Sequence, residues 1–288
     1  MSNHRSDFPV KKMCHTLNVS KSGYYRWLKA PVSLRKMNRE QIKSRIFALY
    51  SEHKGMAGSP LITADLREDP GCSRISRPRV ARLMKEMGLK CRAVKKYTVT
   101  TDSKHNHPVA PNLLDRNFKT SKPDQVWVTD ITYLEIAGKW HYLTVFIDLF
   151  SRLVVGWDLS SSLERFSVIH ALNKAITRRR PGKGLMIHSD RGIQYASLDF
   201  RAALEKHGFV QSMSRKGNCW DNAVAESFFG TIKTQMIHHT TFYCVEQAER
   251  AIFKYIEIYY NRKRKHSSNA YKAPALFEEK WRAFYKVA

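Results

Sequence analysis

Three carboxylates stand out along the chain by their spacing. Asp130 and Asp190 are separated by 59 residues, and 35 residues separate Asp190 from Glu226. Carboxylate oxygens are the ligands that Mg²⁺ prefers, and two such ions about 3.5–4 Å apart can activate an attacking oxygen and stabilise a leaving oxygen in phosphoryl transfer. Without metal, three acids brought close together would repel one another. If the fold brings them together, they form a site for divalent metal and phosphoryl-transfer chemistry.

Each of these acids also has a structural alternative. Asp130 could protect an edge strand, Asp190 could cap the turn in "SDRG", and Glu226 could lie on a solvated helix edge. Two further acids, Asp148 in "VFIDLF" and Asp158 in "GWDLS", lie in similar strand-like surroundings. The joint spacing of the three acids, rather than any one of them, favours the site.

The elements that must position these acids begin at Val126. The stretch "VWVTDITYL" alternates so that Asp130 shares one strand face with Val126 and Val128. Two further stretches rich in β-branched and aromatic residues, "WHYLTVFIDLF" and "RLVVGWDLS", predict an antiparallel meander with this strand.

The rest of this region alternates between helices and strands. We predict a helix over about 162–179, a strand ending at Asp190, a helix over about 197–207, a strand at "FVQSM" and a last helix starting near Asp221. This order describes a mixed five-stranded sheet with flanking helices. The fold class is therefore α/β, with the element order of the ribonuclease-H-like fold.

The last helix of this region presents polar groups beside an apolar stripe. Val224, Phe228 and Ile232 can face a core. Spacings of three and four place on a neighbouring face Asn222, Glu226, Phe229 or Gly230, and Lys233. Lys233 follows Glu226 by one heptad, which is about 10 Å along a helix. Tyr195 and Trp220 are predicted to pack in the core, with stacking on an unpaired base as the alternative.

The charge of the chain indicates a polyanionic partner. Fifty Lys and Arg against 25 Asp and Glu give a net charge of +25. Residues 1–100 hold 22 basic and 7 acidic side chains, and residues 231–288 hold 11 and 5, whereas residues 101–230 hold 17 and 13. Basic flanks thus enclose a nearly balanced centre, as expected if the ends bind nucleic acid. No apolar run is long enough to span a membrane and no signal peptide is visible, so we expect a soluble, intracellular protein.

The first hundred residues read as helical and basic. The order of a helix, a short turn and the basic helix "SRISRPRVARLMKEMGLK" predicts a helix-turn-helix, whose exposed side carries Arg77, Arg79 and Arg82. The alternative is a small three-helix bundle with a charged surface. The predicted domains are a helical segment 1–35, a helix-turn-helix domain 36–91, a linker 92–122, a catalytic core 123–240, and a C-terminal helix with a basic tail 241–288.

Several ordered motifs carry a family resemblance. They are "WVTDITYL", "YLTVFIDLFSRLVVGW", "HSDRGIQYAS", "SMSRKGNCWDNAVAESFFGTIK" and "YIEIYYNRKRKHSSNAYKAP". The central region resembles the retroviral-integrase-like catalytic core, whose signature is two aspartates and a glutamate. More narrowly, the motifs resemble the second-reading-frame (OrfB) transposases of bacterial insertion sequences of the copy-out, paste-in type, from about Met13 to Phe277. The sequence departs from that pattern at "NAYKAP", where the family usually has Gly-Tyr-x-Ser-Pro.

The resemblance implies a DDE transposase that carries out metal-dependent DNA cleavage and strand transfer at insertion-sequence ends. Asp130, Asp190 and Glu226 would be the catalytic, metal-binding triad, holding two Mg²⁺ or Mn²⁺ ions. Lys233 would meet DNA near the reacting phosphate, and Asn222 would orient the terminal nucleotide. The other expected DNA contacts are basic side chains, namely Arg77, Arg79, Arg82, Arg191, Lys216, Arg262, Arg264 and His266.

The expected partners follow from the same resemblance. They are double-stranded DNA of the element ends and the target, further copies of the chain on DNA, and an upstream-frame helix-turn-helix and leucine-zipper segment as a partner or fusion. The expected location is the bacterial cytoplasm, at the nucleoid. Two other functions stay open, a DNA-binding regulator or transposition inhibitor with a structural core, and a nuclease acting on RNA–DNA hybrids.

Overall fold

One mixed sheet organises the central region. The computed structural model of the chain describes residues 1–31, 33–92, 109–162, 165–215 and 219–286. The strands in these residues are β1 (Val126–Ile136), β2 (Lys139–Asp148), β3 (Val154–Ser160), β4 (Met186–Ser189) and β5 (Val210–Met213). Their order in the sheet is β3-β2-β1-β4-β5. β1, β2 and β3 form the predicted antiparallel meander, and β4 runs parallel to both β1 and β5. The predicted ribonuclease-H-like fold is confirmed.

The central strands bury both of their faces. Along β1, Val126 and Val128 belong to one apolar core, whereas Trp127 belongs to the core on the opposite face. Along β2, Val145 lies in the first core and Phe146 in the second. Because successive side chains of a strand point to opposite faces, the apolar runs of the sequence require helices on both sides of the sheet.

Helices of the central and C-terminal regions supply these two layers. They are α6 (Arg165–Arg179), α7 (Ile193–Ala196), α8 (Leu198–Lys206), α9 (Ala223–Gln235) and α10 (Val245–Phe253), which continues as a π-helix (Lys254–Tyr260). α6 and α8 cover one face through residues such as Leu172 and Phe200, and α9 and α10 cover the other through Phe228 and Ile252. Gly156 of β3 allows α6 to approach closely, because a Cβ there would lie 2.6 Å from the Ala171 carbonyl oxygen.

The N-terminal region is helical, as predicted. Its helices are α1 (Val10–Thr16), α2 (Lys21–Lys29), α3 (Leu34–Glu52), α4 (Ser59–Leu66) and α5 (Arg77–Glu86). α3, α4 and α5 share a separate apolar core that includes Ile46, Ile62 and Val80. Ser76 caps α5, its side chain accepting from the Arg79 N–H. The predicted order of helix, turn and basic helix is therefore present, and it has an apolar core of its own.

The segment predicted as a linker is partly packed on the core. Residues 93–108 lie outside the described part of the chain. Beyond them Leu114 is buried, the N–H groups of Leu113 and Leu114 donate to the Ser212 hydroxyl, and the Met213 N–H donates to the Pro111 carbonyl. Residues 109–118 thus extend the cover of the sheet beside β5.

The predicted C-terminal helix is present, and it ends before the basic run. The helical backbone stops at Tyr260, so the basic run from Arg262 to Lys265 lies in a turn and not on a helix. A further helix, α11 (Pro274–Lys286), follows and places Phe277 and Trp281 against Phe150. The last residues are therefore not only a basic tail.

Candidate active site

Asp130 lies in the middle of β1, beside Asp190. The parallel pairing of Val128 with His188 brings the end of β4 alongside the middle of β1, and Asp190 is the second residue after His188. The Asp130 carboxylate accepts from the Ile131 N–H at 2.8 Å, and the Asp190 carboxylate accepts from the Gly192 N–H at 2.9 Å. Each carboxylate is thereby oriented by its own backbone.

Glu226 reaches the same place from α9. Ala225, Phe228 and Phe229 of this helix are buried in the core beneath β1, and Glu226 projects from the opposite, exposed side. Burial raises the pKa of Glu226, and the negative charge of Asp190 raises it further. The first turn of α9 therefore carries its carboxylate to the edge where β4 ends.

The charges of these side chains act on one another. Burial raises the pKa of Asp130 well above its usual range, and Asp190 and then Glu226 add to the effect. Lys233, partly buried, has its pKa lowered by burial, while the attraction of Asp130 opposes this. The three acids and the lysine, which the sequence spacing selected, thus lie within electrostatic reach of one another.

The acids do not form a closed metal cage. Within the described stretches of the chain, no group of three His, Cys, Asp or Glu side chains is arranged to hold one ion. The donor set nevertheless consists of carboxylate oxygens alone, which suits a hard divalent cation that keeps several of its waters. Mutual repulsion of the acids is the physical reason that such a cation would stabilise the site.

Tyr195 closes the site from the core side. It is 1% exposed, and its hydroxyl pairs with the Thr129 hydroxyl at 3.1 Å. Burial raises its pKa well above the usual range, and Asp130 and Asp190 contribute, so these acids lie close to it. Tyr195 packs in the core, as predicted. Trp220 does not, because 69% of its surface is exposed, and core packing was the wrong expectation for it.

Asn222 lies beneath the site. Only 3% of its surface is exposed, and its side-chain nitrogen donates to the Thr129 carbonyl at 3.3 Å, one residue before Asp130. Its side-chain oxygen is buried and has no hydrogen-bond partner among the residues that the structure describes. Asn222 therefore ties the start of α9 to β1, and its contact with a terminal nucleotide stays a prediction.

Sequence reasoning missed Asp221. Its side chain is fully buried, and it accepts from Arg116 Nε at 2.8 Å, Arg215 Nε at 3.0 Å and Asn112 Nδ2 at 3.0 Å. The Arg215 side chain, through its hydrogen bond, holds the pKa of Asp221 well below its usual range. Asp221 thus clamps the loop before α9 to the segment that precedes β1. An acid immediately before Asn222 was the signal available in the sequence.

The two alternative acids have structural roles. Asp148 accepts from the N–H groups of Asp124 and Ser151, both at 2.8 Å, and fixes the turn between β2 and β3. Asp158 pairs with Lys174 at 2.8 Å and with His170 at 3.0 Å. Both carboxylates are therefore bound by neighbouring groups of their own, and the spacing along the sequence had not selected either of them.

The predicted DNA contacts occupy different environments. Arg77, Arg79, Arg82 and Arg262 are exposed, whereas Lys216 lies outside the described residues. Arg191 Nε donates to the Ser214 carbonyl at 2.7 Å, so this side chain supports the loop beside Asp190.

The last two predicted contacts lie together near the C-terminus. Arg264 packs over the Tyr260 ring with its guanidinium 5.8 Å from the ring centroid. Burial, with the nearby charges of Arg264 and Arg152, lowers the pKa of His266 to about 4, so His266 is uncharged near neutral pH. Its predicted phosphate contact would then be a hydrogen bond without a charge.

Comparison with known proteins identifies the family. Residues 120–219 and 207–274 match the family described as Integrase core domain, and residues 37–97 match the HTH-like domain family. The chain is 40% identical over 269 residues to the "Insertion element IS600 uncharacterized 31 kDa protein" of Shigella sonnei, covering 93% of this chain and 98% of that protein. It is 38% identical over 279 residues to transposase InsF for insertion sequence IS3A of Escherichia coli (strain K12), covering 96% of each. The chain belongs to the family of insertion-sequence transposases.

Solved structures of viral integrases are also similar to this transposase-family chain. The simian T-cell lymphotropic virus intasome in complex with PP2A regulatory subunit B56 gamma aligns with a TM-score of 0.48 at 17% identity, covering 80% of this chain and 73% of that chain. The HTLV-2 integrase catalytic core domain in complex with magnesium, in its trimeric form, aligns with a TM-score of 0.44 at 18% identity, covering 56% and 99%.

The family assignment confirms the resemblance carried by the sequence motifs. Both halves of the predicted organisation, the integrase core and the helix-turn-helix-like region, have their own family match. No helix in the described residues is long and apolar enough to cross a membrane.

Proposed function

We propose that this transposase cuts DNA at the ends of an insertion sequence and joins the freed strand to target DNA, using Asp130, Asp190 and Glu226. The observation that carries the proposal is the convergence of these acids at one end of the sheet, where β4 pairs in parallel with β1 and α9 packs beneath β1. Burial, and then the negative charges of the neighbouring acids, raise the pKa values of Asp130 and Glu226. The three acids come from a strand, a strand end and a helix that are far apart in sequence. A fold has no structural need to gather like charges, so a positively charged ligand is the physical explanation.

The same three acids would hold divalent metal, Mg²⁺ or Mn²⁺, with two ions at the site. Their donor atoms are all oxygens, which suit a hard cation that keeps several of its waters. When bound, such ions supply charge neutralisation at the phosphate and favour the deprotonated form of the attacking hydroxyl.

The surrounding residues position the acids and the DNA. The Ile131 and Gly192 N–H groups fix the orientations of the Asp130 and Asp190 carboxylates. Lys233, one heptad beyond Glu226, would bind a phosphate next to the scissile one, since its ammonium is a cation within electrostatic reach of Asp130. Lys233 then orients the strand that is to be cut.

DNA recognition would belong to the helix-turn-helix-like region. Arg77, Arg79 and Arg82 are exposed on α5, where their guanidinium groups can meet the phosphates of a duplex. Synapsis of two element ends calls for at least two copies of the chain on DNA. An upstream-frame helix-turn-helix and leucine-zipper segment, and action at the bacterial nucleoid, belong to the same proposal. We also propose the domain limits 1–35, 36–91, 92–122, 123–240 and 241–288.

The proposal is tested by replacing one acid without changing its shape. Asp190→Asn is expected to lower cutting and joining of a labelled duplex that bears an element end by at least about 10²–10³-fold in Mg²⁺, the range for loss of one preorganised electrostatic contact to a transition state. Binding of the same duplex, measured by fluorescence anisotropy, should change little, because the arginines of α5 are untouched.

Glu205→Gln is the matched control. Glu205 is an exposed acid on α8, and its replacement should leave joining unchanged. Equal joining by Asp190→Asn and the unmodified chain would refute the catalytic assignment. Cutting of an RNA–DNA hybrid in preference to duplex DNA would instead favour a nuclease of the same fold.

A further inference from the structure

The helix-turn-helix-like region is joined to the catalytic core by buried charged groups. Lys265 ends a run of four basic residues, yet only 8% of its surface is exposed. Its Nζ pairs with Asp65 at 3.1 Å and with Glu68 at 2.6 Å, and it donates to the Ala64 carbonyl at 3.1 Å. Lys265 therefore binds the end of α4, although its sequence surroundings suggest a solvent-facing or DNA-facing cation.

Asp65 extends this contact to the π-helix. Its second carboxylate oxygen lies 2.8 Å from Nε2 of His53, whose Nδ1 lies 3.2 Å from the Tyr259 hydroxyl. Burial would raise the pKa of Asp65, but hydrogen bonds from His53 and Lys265 outweigh it and lower the pKa. Asp65 is thus held as a carboxylate between one group from its own region and one from the core.

A second link leads directly to the helix of the carboxylate site. The side chain of Met56, in the turn between α3 and α4, is part of the core beneath β1. Its carbonyl accepts from Gln235 Nε2 at 3.1 Å, and Gln235 Oε1 accepts from the Tyr255 hydroxyl at 2.6 Å. Gln235 lies on α9, nine residues after Glu226, which is about 13 Å along the helix.

These links favour one orientation of the two regions. Moving α4 away from the core would separate Lys265 from Asp65. It would also remove the Met56 carbonyl that accepts from the buried amide of Gln235. Breaking a buried ion pair is strongly unfavourable, because a charge is left without compensation. The basic surface of α5 is consequently held at a set distance from Asp130, Asp190 and Glu226.

We propose that the junction of Lys265, Asp65, His53 and Tyr259 is a spacing device, which sets the number of base pairs between the duplex DNA bound by α5 and the phosphodiester that reacts. The inference rests on the proposed function. These four are positioning residues, since they act through the relative placement of α5 and the carboxylates and do not touch the reacting atoms.

The test uses the full chain with Mg²⁺ and end-labelled duplexes that carry an element end. Lys265→Met removes the buried charge and keeps the side-chain length, and Tyr259→Phe removes only the hydroxyl that meets His53. In both variants the ratio of cuts at the main position to cuts at neighbouring positions should fall by at least about fivefold, the lower end of typical coupling between sites. The two variants should also cut duplexes with base pairs inserted between the bound sequence and the end more readily than the unmodified chain does.

Two further variants separate spacing from a general loss of structure. Lys263→Met removes an exposed lysine that pairs with Glu52 of α3 at 3.5 Å, and because water screens this pair the cut position should stay unchanged. Lys265→Arg keeps the positive charge and should restore the single cut position. Binding of the duplex should stay equal in all variants, because none alters α5.

The outcomes distinguish the two proposals. If the unmodified chain does not cut, the proposed function fails. If it cuts, and Lys265→Met and Tyr259→Phe cut at the same single position with the same response to inserted base pairs, the spacing device is refuted. Should Lys265→Met fail to fold, the smaller change in Tyr259→Phe decides by the same measurement.

Discussion

Replacement of Asp221 by asparagine tests how the loop before α9 is held. The carboxylate is fully buried and accepts from the Arg215 N–H and Nε, from Arg116 Nε and from Asn112 Nδ2, at 2.8–3.0 Å. In Asp221→Asn one oxygen becomes an NH₂ group, so a donor faces at least one of these donors. The ionic part of the contacts with both arginines is lost as well.

The expected loss of stability depends on two opposing features, the burial of the Asp221 carboxylate and the exposure of its arginine partners. Removing one partner of a buried ion pair costs about 3–5 kcal/mol, and a hydrogen bond to a charged group contributes about 1.5–3 kcal/mol. Arg116 and Arg215 are 45% and 47% exposed, so water screens the attraction. We expect the free energy of unfolding of Asp221→Asn to fall by about 2–3 kcal/mol, which for 288 residues corresponds to a decrease in Tm on the order of 3–5 °C.

The pH dependence gives a second signature. The pKa of Asp221 is held well below its ordinary value of 3.8, chiefly by the hydrogen bond from Arg215. The carboxylate therefore stabilises the fold at pH values above 3.8, and this contribution is lost as the pH falls through the lowered pKa of the folded state. The difference in unfolding midpoint between the unmodified chain and Asp221→Asn should be constant near neutral pH and shrink in strong acid.

Denaturant and thermal unfolding of both proteins measure these differences. Asp115→Asn is the control, because Asp115 is 75% exposed and pairs with the same Arg215 at 3.3 Å. It should change the free energy of unfolding by less than about 1 kcal/mol. Identical unfolding midpoints for Asp221→Asn and the unmodified chain near neutral pH would show that the clamp contributes no stability.

Two further substitutions test the packing of the sheet and the DNA contact of α5. Gly156→Ala would place a Cβ 2.6 Å from the Ala171 carbonyl oxygen, so the free energy of unfolding in denaturant should fall by about 1–3 kcal/mol. Gly182→Ala is the control and should be neutral, because no atom lies within 4 Å of its added Cβ. Equal unfolding midpoints for the two variants would contradict the close approach of α6. Arg82→Ala should weaken duplex binding equally for all sequences and reduce the salt dependence of binding by about one phosphate contact, and an unchanged salt slope would exclude this side chain from the interface.

The strands and the order of elements follow from local chemistry. Alternation in "VWVTDITYL" and the β-branched runs after it predict β1, β2 and β3, because side-chain direction in a strand depends only on position along it. The spacing of Asp130, Asp190 and Glu226 selected the acids that meet, whereas Asp148 had equal local character and proved structural. Spacing carried that information because it reflects the topology of the whole sheet.

Other features depend on contacts between distant parts of the chain. Asp221 accepts a hydrogen bond from Arg116, which is 105 residues away in the sequence. Lys265 donates a hydrogen bond to the Ala64 carbonyl, which is 201 residues away. Periodicity cannot indicate such pairs, since either member alone reads as an ordinary surface charge. Trp220 shows the opposite case. An aromatic side chain usually favours the core, but Trp220, which lies before α9, is exposed.

The sequence by itself determined the class of fold, the family and the acids that can meet, since these depend on residue types, periodicity and order along the chain. Only the tertiary structure decided that Asp221 and Lys265 are buried and where the helix-turn-helix-like region docks. The physical reason is that the energy of a charge depends on its solvation and on its nearest opposite charge, and both are fixed by the three-dimensional packing of the chain.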